Sequence, residues 1–530
     1  MEQRGKGPLS DRICGLWLTA AFAFLRHMTR RAPDISRRLL LSGLLATGAS
    51  AALAAPPKVS LRPVVRPRDL ASLPRRKTDG AALLKAAGLS GKAGFMVADA
   101  ATGAVLDAYN PVLSLPPAST AKAITALYGL EHLGSSYRFP TRLIAGGPVE
   151  GGRIKGDLIL AGAGDPTLDT DTLGELAANL KAAGIFEVTG KLRIYDSGWP
   201  NVRTIDPGQP DHLGYSPAVG GVNLNFNRVH FEWKRANAGQ YQVTMQARGE
   251  KFRPAVDMAS MQIADRAAPI YTYAQRGGVE QWSVAQDALG KGGSRWLPVR
   301  KPQAYAAETF AAIARSYGIA LKIGAPAGRL PKGAQTLVSY GSAPLGDILR
   351  GMLKYSTNLT AECVGIAATQ RRGGKPGSLK ASGRGMADWL QDRAGAHKAR
   401  FVDHSGLGDA SRISAGEMVR SLVQLSPGAA LQPLLKEIPM RDKNGKVQEN
   451  HPAQIRAKTG TLNFVSTLAG FVEVPGNRNL AFAIFCADMD KRRALSRSER
   501  ERPEGNRTWV RKARNLHLAL IDQWTRQHQG

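Results

Sequence analysis

Pro116-Pro117-Ala118-Ser119-Thr120-Ala121-Lys122 is the stretch on which the reading of this chain turns. A serine and a lysine three residues apart lie on one face of a helix. Beyond them Ile124, Leu127, Tyr128 and Leu130 recur at helical spacing, and Gly134 follows Leu133. A helix is therefore expected from about Ser119 to Leu133. Its start supplies oriented N–H groups and a partial positive charge beside the serine hydroxyl. Serine is a poor nucleophile without a base. Lys122 can reach that hydroxyl, and it can act as a base only where burial or a second cation discourages its ammonium.

Two more short words complete the set. Ser356-Thr357-Asn358 follows Lys354-Tyr355 at the end of a helical stretch, and Lys458-Thr459-Gly460 lies in the strand-like segment Arg456–Leu462. Each of the three words occurs once. Lys458 is the second cation that Lys122 requires. The Ser356 hydroxyl can pass a proton to a leaving amine, and the Asn358 amide can hold both a carbonyl and the lysine. Gly460 leaves room for an extended peptide beside the strand edge, so that Lys458 and Thr459 face its terminal carboxylate. The backbone N–H groups of Ser119 and Thr461 are expected to form an oxyanion hole, where losing one donor typically costs about 2.7–4 kcal/mol. Taken singly, Ser119 could be a helix cap, Asn358 a turn residue and Lys458 a solvated charge. Their order and uniqueness favour the joint reading.

The spacing divides the chain, since 237 residues separate Ser119 from Ser356. Phe95–Asp99 and Ala104–Ala108 read as strands joined by a turn at Ala101-Thr102-Gly103. From about 146 to 334 the sequence is Gly-rich and strand-like, with a hairpin of Val229–Trp233 and Tyr241–Met245 around Asn237 and Gly239. Helical patterns return at Ala306–Tyr317, Leu345–Met352 and Ser414–Leu425. Ser466–Val474 and Asn479–Cys486 read as strands about a turn at Pro475-Gly476-Asn477. A helix from about Thr508 to Gln527 closes the chain. Its Trp509, Leu516, Leu520 and Trp524 could meet a membrane, but terminal helices usually dock on their own sheet. Residues 79–145 and 335–530 are thus expected to form one catalytic domain, with 146–334 as an inserted β-rich module or pair of modules.

With these words the chain resembles the class C low-molecular-mass penicillin-binding proteins, a family of D-alanyl-D-alanine carboxypeptidases/endopeptidases. The likeness covers most of residues 80–527. It extends to Gly162-Ala-Gly-Asp165-Pro166-Thr167, to Tyr215-Ser-Pro217 through Asn223-Leu-Asn225-Phe-Asn227, and to Ser405-Gly-Leu407 before Ser414-Ala415. The resemblance implies an α/β, serine β-lactamase/transpeptidase-like fold, with a five-stranded antiparallel sheet between helices and extra β domains. It implies acyl transfer to water from the D-Ala–D-Ala amide of peptidoglycan stem peptides, inhibition by β-lactams, and no metal or other cofactor. His404 stands where the family pattern has glycine, and a surface-turn histidine is expected there. An acidic residue often meets the diaminopimelate ammonium in this family. Asp211 is the candidate, with an ordinary loop aspartate as the other reading. A serine β-lactamase is an alternative, although no E-x-x-L-N word is found. A non-catalytic wall-binding protein with a decayed site is another.

At 530 residues several domains are expected, and the net charge is +30. Eight Lys/Arg and three Asp/Glu lie in residues 1–55, so about +25 remains without them. No zinc-finger, RNA-binding aromatic or basic heptad motif supports nucleic-acid binding. Peripheral association with an anionic wall polymer or membrane surface, or plain solvated arginine faces, are the readings left open. Cys14, Cys363 and Cys486 have no metal spacing, and the latter two are expected as free buried thiols. Residues 1–55 read as an export leader: Arg37-Arg38, an apolar run from Leu39 to Leu53, and Ala52-Leu53-Ala54 as an A-x-A cleavage site. The paired arginines resemble a twin-arginine signal, with a general secretion signal as the alternative and Met28 as a candidate initiator. Residues 56–78 read as a Pro/Arg-rich arm. The expected location is the periplasm of a Gram-negative cell.

Overall fold

The strand Arg478–Ala487 shows how the chain is layered. Ala481, Ala483, Phe485 and Ala487 belong to one buried apolar cluster, while Leu480, Phe482, Ile484 and Cys486 belong to another. Successive side chains on a strand point to opposite faces, so this strand lies at the centre of a sheet covered on both sides. The computed structural model describes residues 79–528 apart from 197, 237–239, 427–430, 443–444 and 477. The expected export leader and Pro/Arg-rich arm, Cys14 and the turn residues Asn237, Gly239 and Asn477 lie outside the described residues.

The labelled elements run α1 (Asp79–Ala87), β1 (Lys92–Asp99), β2 (Val105–Tyr109), α2 (Ala121–Leu133), α3 (Leu345–Tyr355), α4 (Asn358–Arg371), α5 (Leu379–Ala394), α6 (Ala415–Leu425), β3 (Lys436–Glu437), β4 (Gln454–Leu462), β5 (Val465–Val474), β6 (Arg478–Ala487) and α7 (Asn506–Gln527). The sheet order is β3-β4-β5-β6-β1-β2, antiparallel throughout. Five strands were expected, and the sixth is the two-residue edge strand β3. The turn between β1 and β2 forms as expected, because the Asp99 carboxylate accepts the N–H groups of Ala101 and Thr102.

Helices α2, α4, α5 and α6 pack on one face of this sheet, and α1 and α7 on the other. The α7 residues Trp509, Leu516, Leu520 and Trp524 are all buried. Trp524 Nε1 donates to Asp107 Oδ2 at 2.9 Å, and Trp509 Nε1 to the Ser90 carbonyl at 3.1 Å. The terminal helix therefore docks on the sheet, and its apolar stripe meets no membrane. Cys363 and Cys486 are free, buried thiols. Among the described residues no helix is long and apolar enough to cross a membrane.

The long middle segment leaves and rejoins through neighbouring strands. Pro140–Ala145 pairs antiparallel with Gln335–Gly341, and a four-stranded sheet continues through Leu158–Gly162 and Leu192–Tyr195. That pairing sets Pro140 opposite Gly341, so the intervening residues can be accommodated without parting the helices on either side. Two three-stranded sheets follow. One contains the expected hairpin as Arg228–Arg235 and Tyr241–Gln246 beside Gly292–Pro298; the other joins Ala259–Ala264, Val279–Ala285 and Tyr271–Arg276. The helix expected from Ala306 begins at Pro302, which stands at its first turn, where a missing N–H costs nothing.

Candidate active site

The nucleophile word sits on a pinned turn. Residues Ala118–Thr120 form a short 3₁₀ turn ahead of α2. Ala118 has φ +47°, a conformation that costs a non-glycine residue about 1–3 kcal/mol and needs surrounding support. That support is visible. The Pro117 carbonyl accepts from the Thr120 hydroxyl at 2.6 Å, the Thr467 hydroxyl at 2.7 Å and the Thr120 N–H at 3.2 Å. Gly406 passes so close that any side chain there would collide with the Ala118 carbonyl. Ser119 is left partly exposed at the head of the helix.

Lys122 lies one turn further in and is fully buried. Its Nζ makes three bonds: to Ser119 Oγ at 3.0 Å, Asn358 Oδ1 at 2.7 Å and the Ser405 carbonyl at 2.7 Å. Burial pulls its pKa from 10.5 down to about 8, against the opposing pull of Glu362 and Asp403. Asn358 Oδ1 and the Ser405 carbonyl can only accept. A neutral amine therefore keeps two donors on them and one lone pair for the serine hydroxyl. This arrangement can draw a proton from Ser119.

The second word begins where α3 ends. Ser356 takes a left-handed conformation with φ +59°, which breaks the helix, and α4 starts at Asn358. The Asn358 amide is fixed at both ends, because its Nδ2 donates to the Tyr215 carbonyl at 2.9 Å. The loop carrying Tyr215 comes from the middle segment and is strapped down by the chain between β6 and α7. Arg497 Nε donates to the Gln209 carbonyl at 3.0 Å and Arg500 Nη1 to the Gly208 carbonyl at 2.9 Å; His212 Nε2 lies 3.1 Å from the Glu501 carboxylate.

Three neighbours of the lysine were not anticipated in these roles. Glu362, fully buried, accepts the Ser405 N–H with Oε1 and the His404 N–H with Oε2, both at 2.9 Å. It thereby fixes the loop whose carbonyl meets Lys122. Asp403 accepts the N–H groups of Gly406 and Gly408. Burial raises the pKa of both carboxyls, and Asp403 pushes Glu362 up further. His404 is not a surface-turn residue. It is fully buried, with Nε2 2.7 Å from Ser382 Oγ, and occupies space that any side chain at Gly365 would fill. Burial drives its pKa down to about 3, so the ring is a neutral packing element. Glu362 had a sequence signal: it lies four residues after Asn358, on the same helical face, in an otherwise apolar run.

The third word lies on β4. Lys458 is buried, and its pKa is held well below 10.5 by that burial and by the charges of Lys122 and Lys436. Its Nζ donates to the Thr459 carbonyl at 2.7 Å. β3 pairs with β4 only at Arg456 and Ala457, so among the described residues the edge from Lys458 to Leu462 is open. Gly460 also answers a need within the fold. A methyl there would meet Thr467 Oγ1 and sit 2.9 Å from the Pro117 carbonyl and 3.0 Å from Ala118 Cβ. The glycine clears space for the nucleophile turn, and so draws the open edge against Ser119. Asp211 stands apart from this cluster: its Oδ1 accepts from Arg497 Nη2 at 2.9 Å, an ion pair that competes with any substrate ammonium.

The structure thus gathers Ser119, Lys122 and Asn358 by direct bonds, with Gly460 and Lys458 packed beside them. Among known proteins, the family model described as D-Ala-D-Ala carboxypeptidase 3 (S13) matches residues 80–501. The D-alanyl-D-alanine carboxypeptidase of Actinomadura sp. (strain R39) is 28% identical over 451 residues, covering 78% of this chain and 81% of that protein. The D-alanyl-D-alanine carboxypeptidase DacB of Haemophilus influenzae is 25% identical over 421 residues, covering 74% and 84%. The crystal structure of penicillin binding protein 4 (dacB) from Haemophilus influenzae superposes with a TM-score of 0.67 at 21% identity, over 84% of this chain and 99% of that one. At that identity the superposition establishes the shared fold.

Proposed function

We propose that this chain, which belongs to the D-Ala-D-Ala carboxypeptidase 3 (S13) family, removes the terminal D-Ala of peptidoglycan stem peptides through an acyl-enzyme on Ser119. The observation that carries this reading is the three-way grip on Lys122, with the serine hydroxyl at one of its three positions. Neutral Lys122 takes the Ser119 proton as Oγ attacks the penultimate D-Ala carbonyl. The N–H groups of Ser119 and Thr461 receive the developing oxyanion. The lysine's proton passes by way of Ser356 to the departing amine, the C–N bond breaks, and free D-Ala leaves. Water, deprotonated by the same lysine, then attacks the ester and regenerates Ser119. Lys458, Thr459 and Thr461 face the terminal carboxylate, with the peptide laid along the open edge of β4.

The same serine would be acylated by β-lactams. Asp211 could receive a stem-peptide ammonium by exchanging its Arg497 partner. Export by the twin-arginine-like leader would bring the enzyme to its wall substrate in the periplasm, where the basic surface suits an anionic polymer. Product analysis on purified muropeptides tests the reading. Release of D-Ala from pentapeptide stems supports it; intact pentapeptides after incubation with folded protein would overturn it, and cleavage confined to crosslinks would replace it with endopeptidase action.

A further inference from the structure

The open end of β4 carries one more group. Thr459 and Thr461 project from the same face of the strand and are both exposed, whereas Lys458 and Gly460 are buried. Helix α7 passes beside that face, and Arg514 Nη2 donates to Thr461 Oγ1 at 3.3 Å. Burial, with the nearby Arg514 charge adding to it, holds the pKa of His517 down to about 3, and the same ring is bonded to the backbone of Ser466. Ser466 is the partner of Thr461 in the β4–β5 ladder. Arg514 is exposed and forms no ion pair with an acidic side chain among the described residues.

A guanidinium offers five donors in a planar fork that matches a carboxylate. Here one hydroxyl takes one of them, through a long bond, and the remainder face solvent beside two exposed threonines. A carboxylate arriving at Thr459 and Thr461 would find Lys458 on the buried side of the strand and the Arg514 fork on the open side. We propose that Arg514 is a specificity-determining residue that binds the C-terminal carboxylate of the acyl donor together with Thr461, selecting peptides that end in a free D-amino acid. The assignment rests on the substrate lying along β4, as set out above.

The test compares two probes on the full protein: an acylated D-Ala-D-Ala peptide with a free C-terminal carboxylate, and the same peptide as its C-terminal carboxamide. For Arg514→Ala the ratio of kcat/KM values, free acid over carboxamide, is expected to fall roughly tenfold to hundredfold, the range for one lost bond to a charged group. Arg514→Lys, which keeps the charge but loses the fork, should fall between. Equal losses on both probes would make Arg514 a structural residue and overturn the assignment. An unaltered ratio would overturn it as well. A wild-type protein inactive on both probes would overturn the proposed function, and this assignment with it; wild-type activity with unaltered selectivity in the variant overturns this assignment alone.

Discussion

The pH dependence of acylation follows from the burial of Lys122 and can be worked through. The perturbation is pH itself, applied to a lysine whose pKa is about 8 in the folded chain against 10.5 unperturbed. That difference amounts to about 3 kcal/mol at ~1.4 kcal/mol per unit. At pH 7 about a tenth of the lysine is neutral, ~300-fold more than for an ordinary lysine. The acylation rate constant should therefore rise about tenfold per unit at low pH and level off above about 8. Stopped-flow acylation by a fluorescent penicillin between pH 6 and 9 would read it. The same shift bears on folding with a definite sign. Below about 8 the folded chain carries a charge that burial disfavours. Between about 8 and 10.5 the unfolded chain binds more protons, so this group's contribution to stability rises with pH across that window. Because the amine is fully buried, solvent screening does little to reduce the effect. A rate constant flat from pH 6 to 9, or an inflection that survives in Lys122→Ala, would refute the base assignment.

Other substitutions probe the packing and the rim. Gly460→Ala should cost about 1–3 kcal/mol in thermal or denaturant unfolding by overpacking against Thr467 and Pro117, with slower acylation; wild-type stability would contradict the packing described. His404→Ala should lose about 1–3 kcal/mol through the cavity and the lost bond to Ser382, whose hydroxyl keeps Thr369 as a partner. Its stability should also depend less on pH between 6.5 and 3, because the wild-type folded state resists protonating a ring whose pKa is about 3; an equally steep acid limb in both proteins would contradict this. Asp211→Asn should raise KM for stems bearing a free side-chain ammonium relative to acetylated ones, and equal KM changes would remove Asp211 from the site.

Much of the catalytic region could be read from the chain because its signals are local. The Ser119–Lys122 spacing needs only one helical turn, and β5 and β6 alternate between two buried faces over ten residues each. The final helix announced its docked face through Trp509, Leu516, Leu520 and Trp524. Helix α4 escaped because residues Leu359 to Thr369 are buried without a break, leaving no polar stripe and no helical period to detect. Glu362 escaped with it, although an acid within that apolar run was a usable sign. The burial of His404 depends on Gly365, Ser382 and Tyr128, which come together only in three dimensions. Gly460 was read as a close-approach glycine, but its approach to Pro117 could not be foreseen, since Pro117 lies more than 300 residues away in the chain. The bond from Asn358 to Tyr215 could not be foreseen either, because it joins the site to a loop of the middle segment.

Intact-protein and peptide mass spectrometry after incubation with penicillin tests the central claim most directly. One covalent penicilloyl adduct, mapped to Ser119 and absent from Ser119→Ala and Lys122→Ala, is the expected result. Folded wild-type protein that gains no adduct, or gains it on another residue, would contradict the account.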